Sequence, residues 1–160
     1  MWAIKIITVM LLLVIFYQDH KERLVSAFLF PLAAVFLGLL HYLQVEKMNF
    51  YTGVAGNLIF VSVLLLILFL YSKLKLKMPF LNGSFGLGDL LFFYAICFAF
   101  PNFSFIVLFI FSIFFALAVH LFLRSSAKSK TVPLAGYMAL FFAITFFISL
   151  FYTRHSLYLL

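Results

Sequence analysis

The stretch "NGSFGLGDLLFFYAICFAFPN", residues 82–102, is almost entirely apolar, yet it carries an aspartate, Asp89, near its start. Two glycines, Gly86 and Gly88, come immediately before this aspartate and are separated by one leucine. The run after Asp89 shows no alternation of apolar and polar residues, which favours a helix over a membrane β-strand. A Pro-Asn pair then marks a break at the end of the stretch. The stretch therefore predicts an apolar helix with a carboxylate at its entrance.

The composition of the whole chain indicates that this helix is one of several in a membrane. Of the 160 residues, 68% are hydrophobic and 21% aromatic, and the mean hydropathy is +1.26. A soluble domain of this length needs far more polar surface. The length fits one domain, which we assign to residues 1–160. The sequence therefore predicts a single-domain integral membrane protein in contact with the lipid bilayer.

Six apolar runs are long enough to be membrane-spanning helices. At about 1.5 Å per residue they reach roughly 24–32 Å, comparable to the hydrocarbon core of a bilayer. The predicted spans are Trp2–Gln18, Leu24–Leu43, Val54–Tyr71, Phe85–Phe100, Phe103–Leu123 and Pro133–Tyr152. Pro31 lies inside the second span and is expected either to kink it or to mark a packed site. The predicted fold is an all-α membrane protein with six transmembrane helices, the first of them retained because no small-x-small cleavage motif follows it.

The loops between the predicted spans carry positive charge on one side of the membrane. The chain has eleven Lys and Arg residues against four acidic ones, which gives a net charge of +7. Eight basic residues lie in the loops after the first, third and fifth spans: Lys21, Arg23, Lys73, Lys75, Lys77, Arg124, Lys128 and Lys130. Cytoplasmic loops are enriched in Lys and Arg, so these loops are predicted to face the cytoplasm and both termini to lie outside. This distribution favours an anionic membrane surface, and no nucleic acid, as the partner of the positive charge.

The only other aspartate, Asp19, is expected at the same membrane face as Asp89. Asp19 directly follows the first span and Asp89 lies about one turn into the fourth, which places both on the predicted cytoplasmic side. A carboxylate just inside a membrane is costly and is usually kept for function or satisfied by a partner. Two carboxylates brought close together cannot both ionise readily, so such a pair shares one proton. One carboxylate can then activate a water while the other polarises a carbonyl, which is the chemistry of aspartic peptidases.

Three segments resemble parts of a known peptidase family. The motif "GLGD" at residues 86–89, at the start of the fourth span, resembles the GxGD motif of intramembrane aspartic peptidases. Tyr17–Leu32 resembles the segment around the first catalytic aspartate of the type IV prepilin peptidases. Thr131–Leu140 resembles the proline-containing start of the last span in that family. The resemblance extends over nearly the whole chain in the number and order of the spans.

The resemblance implies a membrane aspartic endopeptidase in which Asp19 and Asp89 are the catalytic pair. Gly86 and Gly88 would bind the substrate beside this pair, since glycine lets another backbone approach closely. Members of the family cut a short leader from pilin-like precursors at the cytoplasmic side of the bacterial or archaeal inner membrane, in type IV pilus assembly and protein secretion. They use no metal or organic cofactor, and none is expected here.

The sequence departs from the family pattern near both aspartates. The family often has Ile-Pro-Asn after the first aspartate, where residues 24–26 read Leu-Val-Ser, and a lysine two residues after the second, where Leu91 stands. Longer members carry a cysteine-rich segment that accompanies N-methylation, whereas Cys97 is the only cysteine here, so no methyltransferase activity is expected. Two alternatives stay open at this point. They are proton- or cation-coupled transport through the paired carboxylates, and a non-catalytic relative of the peptidase.

Overall fold

The computed structural model describes residues 1–76, 85–123 and 133–151 of the chain. The regular structure in these residues is helical: α1 spans Trp2–Glu22, α2 Leu29–Tyr42, α3 Lys47–Tyr71, α4 Leu87–Ile96, α5 Asn102–Leu123 and α6 Leu134–Phe151. A π-helical turn, Ser72–Leu76, extends α3. The predicted all-α fold class is therefore confirmed for the described part of the chain.

Four of these helices are long and apolar enough to cross a membrane: α1, α3 with its extension, α5 and α6. Helices α2 and α4 are also apolar but shorter, and their 14 and 10 residues correspond to roughly 21 Å and 15 Å. The second and fourth predicted spans were drawn too long, because α2 begins at Leu29 and α4 ends at Ile96. Helix length therefore supports a membrane protein with four spanning helices, and it does not establish six.

The start of α2 explains why Pro31 does not kink a longer helix. Pro31 is the third residue of α2, in the first turn, where backbone N–H groups have no intrahelical acceptor. A proline loses no hydrogen bond at this position, so the expected kink is wrong. The preceding residues 24–28 connect α1 to α2, and two hydrogen bonds hold this connection. Ser26 N–H donates to Gln18 Oε1 (3.0 Å), and Leu29 N–H donates to the Ser26 carbonyl (2.9 Å).

Polar side chains of α2 and α3 hold the irregular end of α4. Asn57 of α3 is buried and donates from Nδ2 to the carbonyls of Cys97 (3.0 Å) and Phe100 (2.8 Å). Nδ1 of His41, from α2, lies 3.1 Å from the carbonyl oxygen of Phe98. Non-helical backbone is tolerated at membrane depth where it is buried in protein and its polar groups are satisfied. The two neighbouring helices therefore allow α4 to stop inside an apolar run.

Helix α6 packs against α1 more extensively than any other pair of described helices, and it also contacts α4 and α5. Helix α2 lies against both α1 and α4. Large aromatic rings fill the interior, and Phe100 stacks on Phe142 and Phe146 with ring centroids 6.0 and 5.3 Å away. This packing brings the end of α1 and the starts of α4 and α6 to one end of the bundle, which we call the site end.

Candidate active site at the site end

Asp19 lies in the last turn of α1 rather than after it. The first predicted span stopped at Gln18, whereas α1 continues to Glu22. The helix ends at Arg23, which adopts the left-handed conformation (φ 56°) and donates its N–H to the Asp19 carbonyl at 3.2 Å. A residue in the left-handed conformation, with its N–H bonded to a carbonyl of the last turn, commonly ends an α-helix. The Asp19 side chain is 9% exposed, so α1 holds a buried carboxylate at a fixed position.

Asp89 lies in the first turn of α4, with Gly86 at the N-cap. A carboxylate is favoured there by the partial positive charge of the helix N-terminus. The Asp89 side chain also interacts with the backbone amide of Gly86, as an acidic residue at the third helical position often does. Asp89 is only partly buried, and Gly86 and Leu87 beside it are exposed. The site is therefore open on the α4 side.

The N-terminus of α6 joins the two aspartates. The backbone N–H of Ala135 donates to Asp89 Oδ1 at 2.7 Å, and that of Gly136 donates to Asp19 Oδ2 at 2.6 Å. Both amides belong to the first helical turn, where N–H groups lack an intrahelical acceptor and the helix dipole favours negative charge. Because Ala135 and Gly136 are consecutive, the two accepting oxygens lie within roughly 8 Å of each other. The two carboxylates are close enough to repel each other when both are ionised.

Gly86 and Gly88 have different environments. A Cβ added to Gly86 would lie 2.8 Å from Asp89 Oδ2, closer than real side chains approach. A Cβ added to Gly88 would lie 3.6 Å from Phe30 Cζ, which is an ordinary van der Waals distance. Gly86 therefore leaves space for the Asp89 carboxylate, whereas Gly88 faces α2 and has room for a methyl group.

Ala135 and Gly136 are site residues that the sequence reasoning missed. A Cβ added to Gly136 would lie 2.9 Å from both Cβ and Oδ2 of Asp19. The missing side chain therefore lets the α6 backbone come close enough to α1 to bind the carboxylate. One signal was present in the sequence: Pro133, a residue typical of helix starts, is followed closely by two small residues. That pattern indicates a helix N-terminus with accessible amides, but it does not indicate which acceptors they bind.

Aromatic and basic side chains surround Asp19. The rings of Phe16 and His20 stack with centroids 5.6 Å apart, and the Tyr137 ring lies 6.4 Å from Phe16 and 6.0 Å from His20. Arg23 is close enough to act electrostatically on both Asp19 and Tyr137. This three-ring cluster joins α1 to α6 beside the Asp19–Gly136 hydrogen bond, because His20 and Tyr137 are the sequence neighbours of those two residues.

The basic residues of the predicted cytoplasmic loops are described in part. Lys77, Arg124, Lys128 and Lys130 lie outside the described residues, as do Asn82–Ser84 of the opening stretch. The remaining lysines at the ends of α1 and α3 lie over aromatic rings: Lys21 over Tyr17 (5.3 Å), Lys73 over Phe69 (5.9 Å) and Lys75 over Tyr71 (5.6 Å). Lysine and tyrosine side chains of this kind are typical of helix ends at a membrane interface.

Two further expectations concern the surroundings of the pair. Leu91 stands where the family often has a lysine, and it packs against the hydrophobic core. An apolar side chain therefore occupies the position where the family often has a cation. Within residues 1–76, 85–123 and 133–151, no three His, Cys, Asp or Glu side chains are grouped so that they could hold a metal ion. The chemistry that these residues offer is that of two carboxylates held by one helix N-terminus.

No protein-family model, curated protein or solved structure matches this chain. Its function must therefore be inferred from the geometry around Asp19 and Asp89 and from the motifs that lie there.

Proposed function

We propose that the protein is a membrane aspartic endopeptidase with Asp19 and Asp89 as its catalytic pair. The observation that supports this most strongly is that consecutive amides, those of Ala135 and Gly136, hold one oxygen of each carboxylate. Here two aspartates from different helices share one α-helix N-terminus, and Asp89 borders the exposed side of the site.

One shared proton gives the two carboxylates complementary roles in peptide hydrolysis. The ionised carboxylate takes a proton from a water, whose oxygen attacks the peptide carbonyl carbon. The protonated carboxylate donates its proton to the carbonyl oxygen, which produces a tetrahedral diol. A proton then passes to the peptide nitrogen as the C–N bond breaks, and the products are a carboxylic acid and an amine. The pair returns to its singly protonated state, as general acid–base catalysis requires.

The open side of the site supports access by an extended peptide. Asp89 is partly exposed, and the adjacent Gly86 and Leu87 are exposed. We assign Gly86 to substrate binding, because it is exposed and presents no side chain to a peptide that approaches Asp89 from this side. Gly88 faces Phe30 of α2, so the part expected of it in substrate binding is not included in the proposal. Asp19 is the more buried member of the pair, so the peptide reaches Asp89 first.

The proposed substrate is a precursor of the type IV prepilin kind, cut at its leader just before a hydrophobic helix. The GLGD motif at residues 86–89 and the position of Asp19 at the end of α1 support this choice. The loop charges orient the site end toward the cytoplasm of a bacterial or archaeal cell, with both termini outside. With the site end in the cytoplasm and both termini outside, α2 and α4 also cross the membrane as short spans. Asn57 and His41 bind the backbone carbonyls that follow α4.

Cleavage by the full chain in liposomes tests the proposal. A synthetic pilin-like precursor is added, and the products are mapped by mass spectrometry. The wild-type protein should make one cut before the hydrophobic helix. Asp19→Asn and Asp89→Asn should each lower the rate by about 10²–10⁴-fold, the usual contribution of general acid–base groups. Glu22→Gln, which removes an exposed carboxylate from the same turn as Asp19, should cleave normally.

Two results would count against the peptidase. Cleavage by Asp89→Asn at the wild-type rate would exclude the catalytic pair. An absence of cleavage, together with a proton flux into liposomes that Asp89→Asn abolishes, would instead favour ion-coupled transport.

A further inference from the structure

At the end of the bundle opposite the site, Lys5 of α1 binds the C-terminal part of α6. Its Nζ donates to the carbonyl oxygen of Ser149 at 2.9 Å and to Ser149 Oγ at 3.2 Å. Ser149 lies near the end of the described part of α6, which runs to Phe151. A cation is favoured toward the C-terminal end of a helix by the helix dipole. Lys5 therefore joins the start of α1 to the C-terminal part of α6.

Lys5 and Asp19 together hold α6 near both ends of its described part. Asp19 accepts the Gly136 N–H at the start of α6, and Lys5 donates to Ser149 in its C-terminal part. At 1.5 Å per residue, Lys5 and Asp19 are about 21 Å apart along α1, and Gly136 and Ser149 are about 20 Å apart along α6. The spacings match, and each charge lies toward the end of the α6 dipole that favours it. A slip of one helical turn would break both contacts.

Between Lys5 and Asp19, α1 has buried residues of two kinds, apolar and polar. Leu12 and Ile15 of α1 are fully buried in the apolar core, and their van der Waals packing contributes to the association of the helices. Thr8, which is buried between Lys5 and Asp19, donates to the Ile4 carbonyl of its own helix at 2.8 Å. The hydrogen bonds of Lys5 and Asp19 to α6 add directional contacts near both ends of this interface, and both favour the same register.

We propose that Lys5 is a positioning residue that keeps the Asp19 carboxylate on the Gly136 amide from the far end of the α1–α6 pair. When its ammonium group is removed, α1 can shift along α6, and the Asp19 oxygen moves away from the Gly136 N–H. The consequence for catalysis rests on the proposed peptidase function, whereas the helix register does not. The two statements are therefore tested by separate measurements.

The register is tested by the amide-proton chemical shift of Gly136 in the full chain in liposomes. This shift reports the strength of the hydrogen bond to Asp19, and Asp19→Asn supplies the reference for a weakened bond. Lys5→Met should move the signal toward that reference. Lys5→Arg, which keeps a cation with N–H donors, should leave it at the wild-type position. Lys47→Met is the matched control, because Lys47 is exposed and starts α3 at the same end of the bundle.

The Gly136 signal decides the register whether or not the protein cleaves peptides. A wild-type signal in Lys5→Met would overturn the positioning role, and so would an equal displacement in Lys5→Arg. If Lys5→Met does not accumulate in the membrane, Lys5→Gln takes its place, since it removes the charge and keeps a neutral donor. Lys5→Gln should then show an intermediate displacement, and an unchanged signal would contradict the proposal in the same way.

The cleavage assay measures the catalytic consequence. Lys5→Met should lower kcat by about 10- to 100-fold, the scale expected when a catalytic group is displaced by about 1 Å, and leave KM unchanged. Lys5→Arg should restore most of kcat. A loss that Lys5→Arg does not restore, or a rise in KM alone, would contradict positioning of Asp19. If the wild-type protein cleaves nothing while the Gly136 signal depends on Lys5, the peptidase proposal fails and the register proposal stands.

Discussion

The Asp89 carboxylate keeps its position because Gly86 has no side chain. Its Oδ2 lies 2.8 Å from where a Cβ on residue 86 would be, which is too close for a real contact, so a larger residue would push the carboxylate aside. The other glycine of the motif is different, since Gly88 lies at an ordinary contact distance from Phe30. Sequence reasoning assigned both glycines the same role, because a motif does not show which neighbour each residue faces.

Gly86→Ala should therefore lower activity without unfolding the protein. The clashing atom is the end of a side chain that can rotate, so the carboxylate turns away at little cost in stability. We expect kcat/KM for the precursor peptide to fall by about 10- to 100-fold, with an unchanged amount of protein in the membrane. Gly88→Ala is the matched control and should keep most of its activity. Equal losses in the two variants would contradict the distinction between the glycines.

Gly136→Ala should reduce both stability and activity. The added methyl would lie 2.9 Å from the Asp19 Cβ, which α1 holds in place, so relief requires that α1 and α6 move apart. Overpacking of this kind costs about 1–3 kcal/mol. The free energy of unfolding, measured by SDS titration in mixed micelles, should fall by this amount, while Gly88→Ala should show little change. If Gly136→Ala is as stable as the wild type, the two helices do not approach this closely.

Four residues form the pair of hydrogen bonds at the site: Asp19, Asp89, Ala135 and Gly136. The sequence predicts two of them, the aspartates. Asp19 and Asp89 are visible because charge is rare in this chain and carboxylates are costly at membrane depth. Ala135 and Gly136 act through their backbone N–H groups, which every residue except proline possesses. Their role depends on the placement of the α6 N-terminus between α1 and α4, and this placement is a tertiary feature.

At the scale of helices, the ends of α2 and α4 depend on contacts between helices. Residues 97–100 are as apolar as α4 itself, so hydropathy predicts that the helix continues through them. The chain instead turns where Asn57 and His41 bind the carbonyls. In the same way, residues 24–28 were read as part of a span, whereas Gln18 holds them as a connection. The all-α class was predictable from composition and periodicity, but these ends were not.

Asn57→Ala should destabilise the bundle by about 1–3 kcal/mol, the usual cost of leaving buried polar groups unsatisfied. The substitution removes the donor from two carbonyls, those of Cys97 and Phe100. Thr52→Ala, on the same helix but exposed and hydrogen-bonded to carbonyls of its own first turn, is the control and should have a smaller effect. The measurement is again the free energy of unfolding in mixed micelles. If both variants lose the same free energy, Asn57 does not cap the end of α4.

At the scale of the whole molecule, the proposed orientation in the membrane rests on the loop charges and can be tested by labelling. Lys21 and Lys47 are exposed at the end of α1 and the start of α3, on either side of α2. In intact cells, a membrane-impermeant maleimide should react with Lys47→Cys and not with Lys21→Cys. The native Cys97 is buried and should not react. Labelling of both positions would contradict α2 as a span, and the reverse pattern would contradict a cytoplasmic site.

The central proposal is that Asp19 and Asp89 act as one unit, and a double-mutant cycle in the cleavage assay tests it most directly. The rates of Asp19→Asn, Asp89→Asn and the double variant are compared with that of the wild type. Groups that act on the same step are not additive, so the double variant should be about as slow as the slower of the two single variants. Wild-type cleavage by either single variant, or a double variant slowed by the product of the two single losses, would contradict a shared catalytic pair.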